Sequence, residues 1–126
     1  MHFDKQENAR ILIVDDEPII ALSLEEMLVD AGFKIAAIAY KIDKAIALIE
    51  SGGCDAAIID ANLAGVSASS VAAALAARGL PFIVLSGYSR EQLQGDYPGA
   101  HFMKKPCRPA QLIQAVSAMV QKRQNP

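Results

Sequence analysis

Acids, a hydroxyl and an ammonium recur along this 126-residue chain at the ends of short apolar segments: Asp15-Asp16 after RILIV, Asp60 after AAII, Ser86 after PFIVL, and Lys105, with Pro106 behind it, after HFMK. Asp15, Asp16 and Asp60 suit a hard divalent cation such as magnesium. Such an ion prefers oxygen ligands and needs only one or two protein carboxylates when waters and a phosphate oxygen complete its shell. A carboxylate can also act as a nucleophile and become an acyl phosphate. It then needs a cation to offset the repulsion between its own charge and the incoming phosphoryl group. Ser86 and Lys105 would serve the phosphoryl oxygens. Taken singly, each residue has a plainer reading. Asp15-Asp16 reads as a solvated acidic turn, Asp60 as a helix cap or loop residue, Ser86-Gly87 as ordinary turn chemistry, and Lys105 as a surface lysine like Lys104. The chemistry gains its weight from their shared position at segment ends.

The segments themselves explain that position. RILIV (10–14) is continuously apolar, as in a strand covered on both faces. Pro18 suits the first turn of a helix and the acids before it favour a helix N-terminus. Ile19, Ile20, Leu24, Met27, Leu28 and Ala31 recur at helical spacing up to Gly32. KIAAIA (34–39) reads as a second strand, and 41–51 as a helix closed by Gly52-Gly53. AAIID (56–60) reads as a third strand. After a loop around Gly65, Ser67 or Ser69 is the expected cap of an alanine-rich helix ending near Gly79. PFIVLS (81–86) and HFMK (101–104) are the fourth and fifth strands, and Pro109 opens a last helix whose polar tail, QKRQNP, is expected to fray. The stretch 89–100 (SREQLQGDYPGA) is broken by Gly95, Pro98 and Gly99, so the fourth helix is expected to be short or irregular. Strand and helix alternate five times, which argues for an α/β fold with a parallel sheet and right-handed crossovers. In such a sheet the strand C-terminal ends meet at one edge, where ligands bind.

Size and composition fit one compact domain over 1–126, with its core at about 9–122. Apolar residues make up 52% and charged residues 21%, near ordinary soluble usage, and the net charge of −2 is spread over interspersed acids and bases. Nothing there suggests a nucleic-acid footprint. The apolar stretches fall far short of a membrane span, and the polar, acidic start MHFDKQENAR is unlike a signal peptide. The expectation is a cytoplasmic protein with no nucleic-acid or membrane partner. Cys54 and Cys107 lie at opposite edges of the expected sheet and read as unrelated reduced thiols, and His2 and His101 as isolated structural or surface residues.

The motifs Ile11-Leu12-Ile13-Val14-Asp15-Asp16-Glu17-Pro18, Ile58-Ile59-Asp60-Ala61-Asn62-Leu63, Val84-Leu85-Ser86-Gly87 and Phe102-Met103-Lys104-Lys105-Pro106 occur in order and at matching spacing. With them the chain, over roughly 9–122, resembles the receiver domain of two-component response regulators. The resemblance implies a flavodoxin-like, doubly wound sheet of five parallel strands in the order 2-1-3-4-5 with five helices. It implies that Asp60 accepts a phosphoryl group from a histidine kinase or histidine phosphotransfer protein. Asp16 would bind magnesium directly, Asp15 mainly through water, and the backbone carbonyl of Asn62 would complete the protein's ligands, with manganese able to substitute. Ser86 and Lys105 would contact the phosphoryl oxygens. Phe102 matches the family's switch aromatic, its alternative being a plain core residue. Ser86 moving toward the phosphoryl group would leave space into which Phe102 turns, so that a small charge event biases a protein-binding surface. Asn62 and Tyr88 flank the acceptor in the family pattern, and bulky Tyr88 is expected to shield the acyl phosphate from water.

The chain departs from the family in the span between Ser86 and Lys105, which is shorter than usual and alters the surface often used for output. The segment around Ser86-Gly87-Tyr88 partly matches a subgroup of stand-alone receivers with a Phe-Ala-Thr-Gly-type motif. No DNA-binding or enzymatic segment follows the last helix, which fits a single-domain regulator acting on a downstream protein, or a fragment of a longer chain. On this reading the protein is a signalling phosphoacceptor rather than an enzyme, catalysing at most its own phosphorylation and dephosphorylation. One rival is an aspartyl-phosphate phosphohydrolase, whose Asp-x-Asp signature is replaced here by Asp15-Asp16-Glu17. The other is a phosphorylation-independent interaction module, which would have no need of buried like charges that cost stability.

Overall fold

The computed structural model describes residues 9–63, 65–87, 97 and 100–124. Strands β1 (Arg10–Val14), β2 (Lys34–Ala39) and β3 (Ala56–Asp60) alternate with helices α1 (Pro18–Asp30) and α2 (Ile42–Glu50). A short hairpin, β4 (Asn62–Leu63) with β5 (Val66–Ser67), precedes α3 (Ser69–Ala77); β6 (Phe82–Ser86), β7 (His101–Lys104) and α4 (Pro109–Gln124) complete the chain. The main sheet has five strands in the order β2-β1-β3-β6-β7, every pairing parallel. With the small hairpin set aside, this is the expected 2-1-3-4-5 order. Four helices are present among the described residues. The fourth helix expected within 89–100 falls almost wholly outside them, as does Tyr88.

The two-residue period of the strands splits their side chains between two cores. Leu12, Val14, Ala57, Ile59 and Val84 pack under α2 and α3 with Ile49, Val71 and Leu75. Ile11, Ile13, Ile58, Ile83 and Leu85 pack under α1 and α4 with Leu28, Leu112 and Val116. Both faces of β1 and β3 are therefore covered, which is why these strands are apolar without a break.

The local signals mostly act where they stand. Pro18 is the first residue of α1, and Gly32 adopts φ +96° just past its end, a conformation that costs a residue with a Cβ. Neither serine caps α3, contrary to expectation. Ala68 holds the cap position without a side-chain bond, because the hairpin sets the entry to the helix; the Ser67 hydroxyl instead accepts the Ser69 N–H at 3.2 Å. The polar tail does not stop α4, which runs to Gln124 on residues that propagate helix well. Cys54 is buried and Cys107 half-buried, and the two are not joined in a disulfide. No helix among the described residues is long and apolar enough to cross a membrane.

Candidate functional site

The site is built by register. Val14 of β1 lies opposite Ile59 of β3, Asp60 opposite Leu85 of β6, and Ser86 opposite Lys104 of β7. The residues just beyond these pairs are then drawn to one edge by hydrogen bonds that continue the ladder: Asp15 N–H to Ala39 O (3.1 Å), Ala61 N–H to Leu85 O (2.9 Å) and Lys105 N–H to Ser86 O (2.8 Å). Strand ends far apart in sequence thus become neighbours.

Asp15, Asp16 and Asp60 form one cluster, with a carboxylate oxygen from each lying within 4.8 Å of the others. Asp15 and Asp16 would face opposite ways inside a strand, but β1 ends at Val14 and the turn lets both lean over the edge. Asp15 is 1% exposed. Its Oδ1 accepts the Glu17 N–H at 2.9 Å, while its Oδ2 is buried with no hydrogen-bond partner. Burial holds the Asp15 carboxyl above the usual carboxylate range, and the charges of Asp60 and Asp16 push the same way against the Glu17 amide and Lys105. A buried carboxylate oxygen without a donor is costly unless a cation sits against it. Three carboxylates, each offering a hard oxygen donor within 4.8 Å of the others, fit a small divalent cation.

Asp60 is buried and held from two sides. Lys105 Nζ lies 3.1 Å from its Oδ2, and the Asn62 N–H donates to its Oδ1 at 3.2 Å. Ser86 is buried at the end of β6, on the side of the sheet that strand alternation assigns to Val84. Phe102, opposite Val84, is half-buried against that same core. Lys104 is exposed, so of the paired lysines Lys105 is the one turned to the acids. The Lys105–Pro106 peptide is cis. The Asn62 side chain is exposed and accepts the Gly65 N–H at 2.7 Å, which closes the hairpin turn where Gly65 takes φ +86°. It supports the loop, and the loop's backbone is what reaches Asp60. Ile19 (84% exposed) and Leu22 leave an apolar strip on the first turns of α1 beside the acidic edge.

One residue of this region is absent from any sequence motif. Tyr97 is buried under the loop after Asp60, its hydroxyl donating to Ala61 O at 2.8 Å and accepting from Ala68 N–H at 2.9 Å. Its ring meets Phe102 edge-on, centroids 6.0 Å apart. The only trace in the sequence is an aromatic residue ahead of Pro98-Gly99 in an otherwise polar stretch.

Known proteins share this fold. The family model of the response regulator receiver domain matches residues 11–117. The transcriptional regulatory protein PdtaR of Mycobacterium tuberculosis is 29% identical over 115 residues, which are 88% of this chain and 56% of the relative. The chain therefore spans little more than half the length of the curated relatives it matches. A response regulator receiver protein from Sinorhizobium medicae superposes with TM-score 0.82 at 31% identity, covering 93% of this chain and 98% of that one. SdrG from Sphingomonas melonis superposes with TM-score 0.75 at 35% identity, covering 90% and 98%. With a carboxylate cluster, a paired lysine and a buried serine on one edge of a 2-1-3-4-5 sheet, and a family match over most of its length, the chain belongs to the receiver domains of two-component response regulators.

Proposed function

We propose that the chain is a phosphoacceptor in a two-component relay, taking a phosphoryl group onto Asp60 from a histidine kinase or histidine phosphotransfer protein and thereby switching a protein-binding surface. The observation that carries this reading is the placement of Asp60 between Lys105 and two further carboxylates, one with a buried, unpartnered oxygen. A set of like charges this close opposes stability and has a use when a cation and a phosphoryl group arrive together.

In the transfer, an Asp60 carboxylate oxygen forms the new P–O bond as the P–N bond of the donor phosphohistidine breaks. The imidazole nitrogen keeps the bonding pair. Lys105 compensates the Asp60 charge beforehand and turns to a phosphoryl oxygen afterwards. The Ser86 hydroxyl donates to another phosphoryl oxygen, and its movement opens room on the α2–α3 side, where Phe102 turns in. A magnesium ion held by Asp15, Asp16, Asp60 and the backbone carbonyl of Asn62, or manganese in its place, would supply neutralisation of the phosphoryl oxygens' charge. The exposed Ile19 and Leu22 offer apolar contact to a donor protein beside the acceptor. On this reading the chain catalyses at most its own phosphorylation and dephosphorylation, and works in the cytoplasm where such donors act.

The test is intact-protein mass spectrometry after incubation with acetyl phosphate, on wild type and Asp60→Ala, with and without magnesium. One added phosphoryl group on wild type alone, and only with magnesium, is expected. A folded wild-type protein that takes up none would overturn the reading.

A further inference from the structure

The Ala61–Asn62 peptide unit is engaged at both ends. Its carbonyl, on Ala61, accepts the Tyr97 hydroxyl at 2.8 Å; its N–H, on Asn62, donates to Asp60 Oδ1 at 3.2 Å. A peptide unit is planar, so the direction of the carbonyl sets the direction of the N–H. A donor on the carbonyl also polarises the amide and strengthens the hydrogen bond at its other end. Tyr97 is 1% exposed, and its ring is clamped edge-on against Phe102. Its single hydroxyl proton is committed to Ala61 O; the Ala68 N–H at 2.9 Å and Ser67 Oγ at 3.4 Å lie on its acceptor side.

From these contacts we propose that Tyr97 is a positioning residue for phosphoryl transfer, aiming the Asn62 N–H at Asp60 through the Ala61–Asn62 peptide unit. The inference rests on the function proposed above. A fixed donor held against the acceptor group lowers the cost of rearranging charge there during transfer. Phe102 lacks a hydroxyl, so among the described residues of this core Tyr97 alone joins an aromatic contact to β7 with a polar contact to the acceptor loop. Removing the hydroxyl leaves the loop closed, because Ala68 N–H also reaches Ala61 O at 3.2 Å. What is lost is the nearer of the carbonyl's two donors, at 2.8 Å against 3.2 Å, and with it part of the orientation and polarisation of the amide.

Tyr97→Phe removes that hydroxyl and keeps the ring. The initial rate of phosphorylation by acetyl phosphate at saturating magnesium, followed by intact-protein mass spectrometry, is expected to fall about tenfold, less than the loss of a directly contacting donor. The Asn62 amide proton is expected to move upfield in 1H–15N spectra as its hydrogen bond weakens. Val116→Ala, a cavity in the opposite core, supplies a protein of lowered Tm in which both readouts should stay at wild-type values. The proposal is overturned by a Tyr97→Phe rate within about twofold of wild type, by an unmoved Asn62 resonance whatever the rate, or by a fall that Val116→Ala reproduces. If wild type itself takes up no phosphoryl group, the proposed function falls and takes this inference with it. If wild type is phosphorylated and Tyr97→Phe matches it, the inference alone falls.

Discussion

Lys105 sets its ammonium 3.1 Å from Asp60 Oδ2, the lysine held to β6 by a backbone hydrogen bond, Lys105 N–H to Ser86 O, that extends the β6–β7 ladder a residue past its end, and Asp60 by its pairing with Leu85 of the same strand. Asp60 is nearly buried and the lysine side chain about 30% exposed, so their attraction is screened only on one side. Lys105→Met leaves the Asp60 charge without its counter-ion. The expected result is a loss of about 1–3 kcal/mol in urea unfolding, below the range for a fully buried pair. A fall in acetyl phosphate-driven phosphorylation of tenfold or more should accompany it. Unfolding curves and adduct mass read the two effects separately.

Asp15 gives a pH dependence with a definite sign. Its folded-state carboxyl is held above the ordinary carboxylate value by burial, reinforced by Asp60 and Asp16. The folded state therefore binds this proton more tightly than the unfolded chain. The stabilisation is fully present below the unfolded value of about 4 and is lost as pH rises through the raised folded value. Magnesium-free protein should lose stability across that window, and Asp15→Asn should flatten the Asp15 contribution to the slope. At pH 7 the Asp15→Asn substitution is expected to stabilise the metal-free protein by about 1 kcal/mol, because it removes a buried charge set beside the like charges of Asp60 and Asp16. Chemical denaturation at several pH values, with chelator present, checks both.

Metal should reverse that ranking. A ligand bound only by the folded state raises its stability by about 2.7 kcal/mol at a hundred times its Kd. Magnesium should raise the Tm of wild type and do so far less in Asp15→Asn or Asp16→Asn, since each removes one charge from a three-carboxylate cluster. Chelation should return wild type to its metal-free Tm. Equal magnesium shifts in wild type and both variants would count against the cluster as the cation site.

Ile19 and Leu22 separate donor docking from chemistry. Both are exposed on α1 and neither belongs to the carboxylate cluster. Ile19→Glu should leave phosphorylation by acetyl phosphate within about twofold of wild type. Transfer from a phosphorylated histidine phosphotransfer protein should slow by about tenfold, the cost of one apolar anchor lost from an interface core. Parallel time courses with the two donors decide it.

The alternation of apolar runs with helical spacing was enough to place each strand and the residues that end it, because a strand covered on both faces is apolar in its interior and leaves its polar residues to its ends. Asp15, Asp60, Ser86 and Lys105 were legible for that reason. So was Pro18, whose fixed φ suits the first turn of α1. The carboxylate cluster itself depended on parallel pairing, which no local pattern specifies in register. Only the ladder contacts past the strand ends put the Asp60 oxygens against Lys105. The cap of α3 shows the limit in small compass: two serines offered caps, and the hairpin geometry gave the position to Ala68. Tyr97 shows it at the site. Its neighbours in sequence are polar and its partners lie 29 to 36 residues away, so its role exists only once the loop after β3 folds over its hydroxyl. Residue types and their spacing determined which groups could do chemistry. Long-range hydrogen bonds, each between groups with no local pattern to signal them, decided how those groups are aimed.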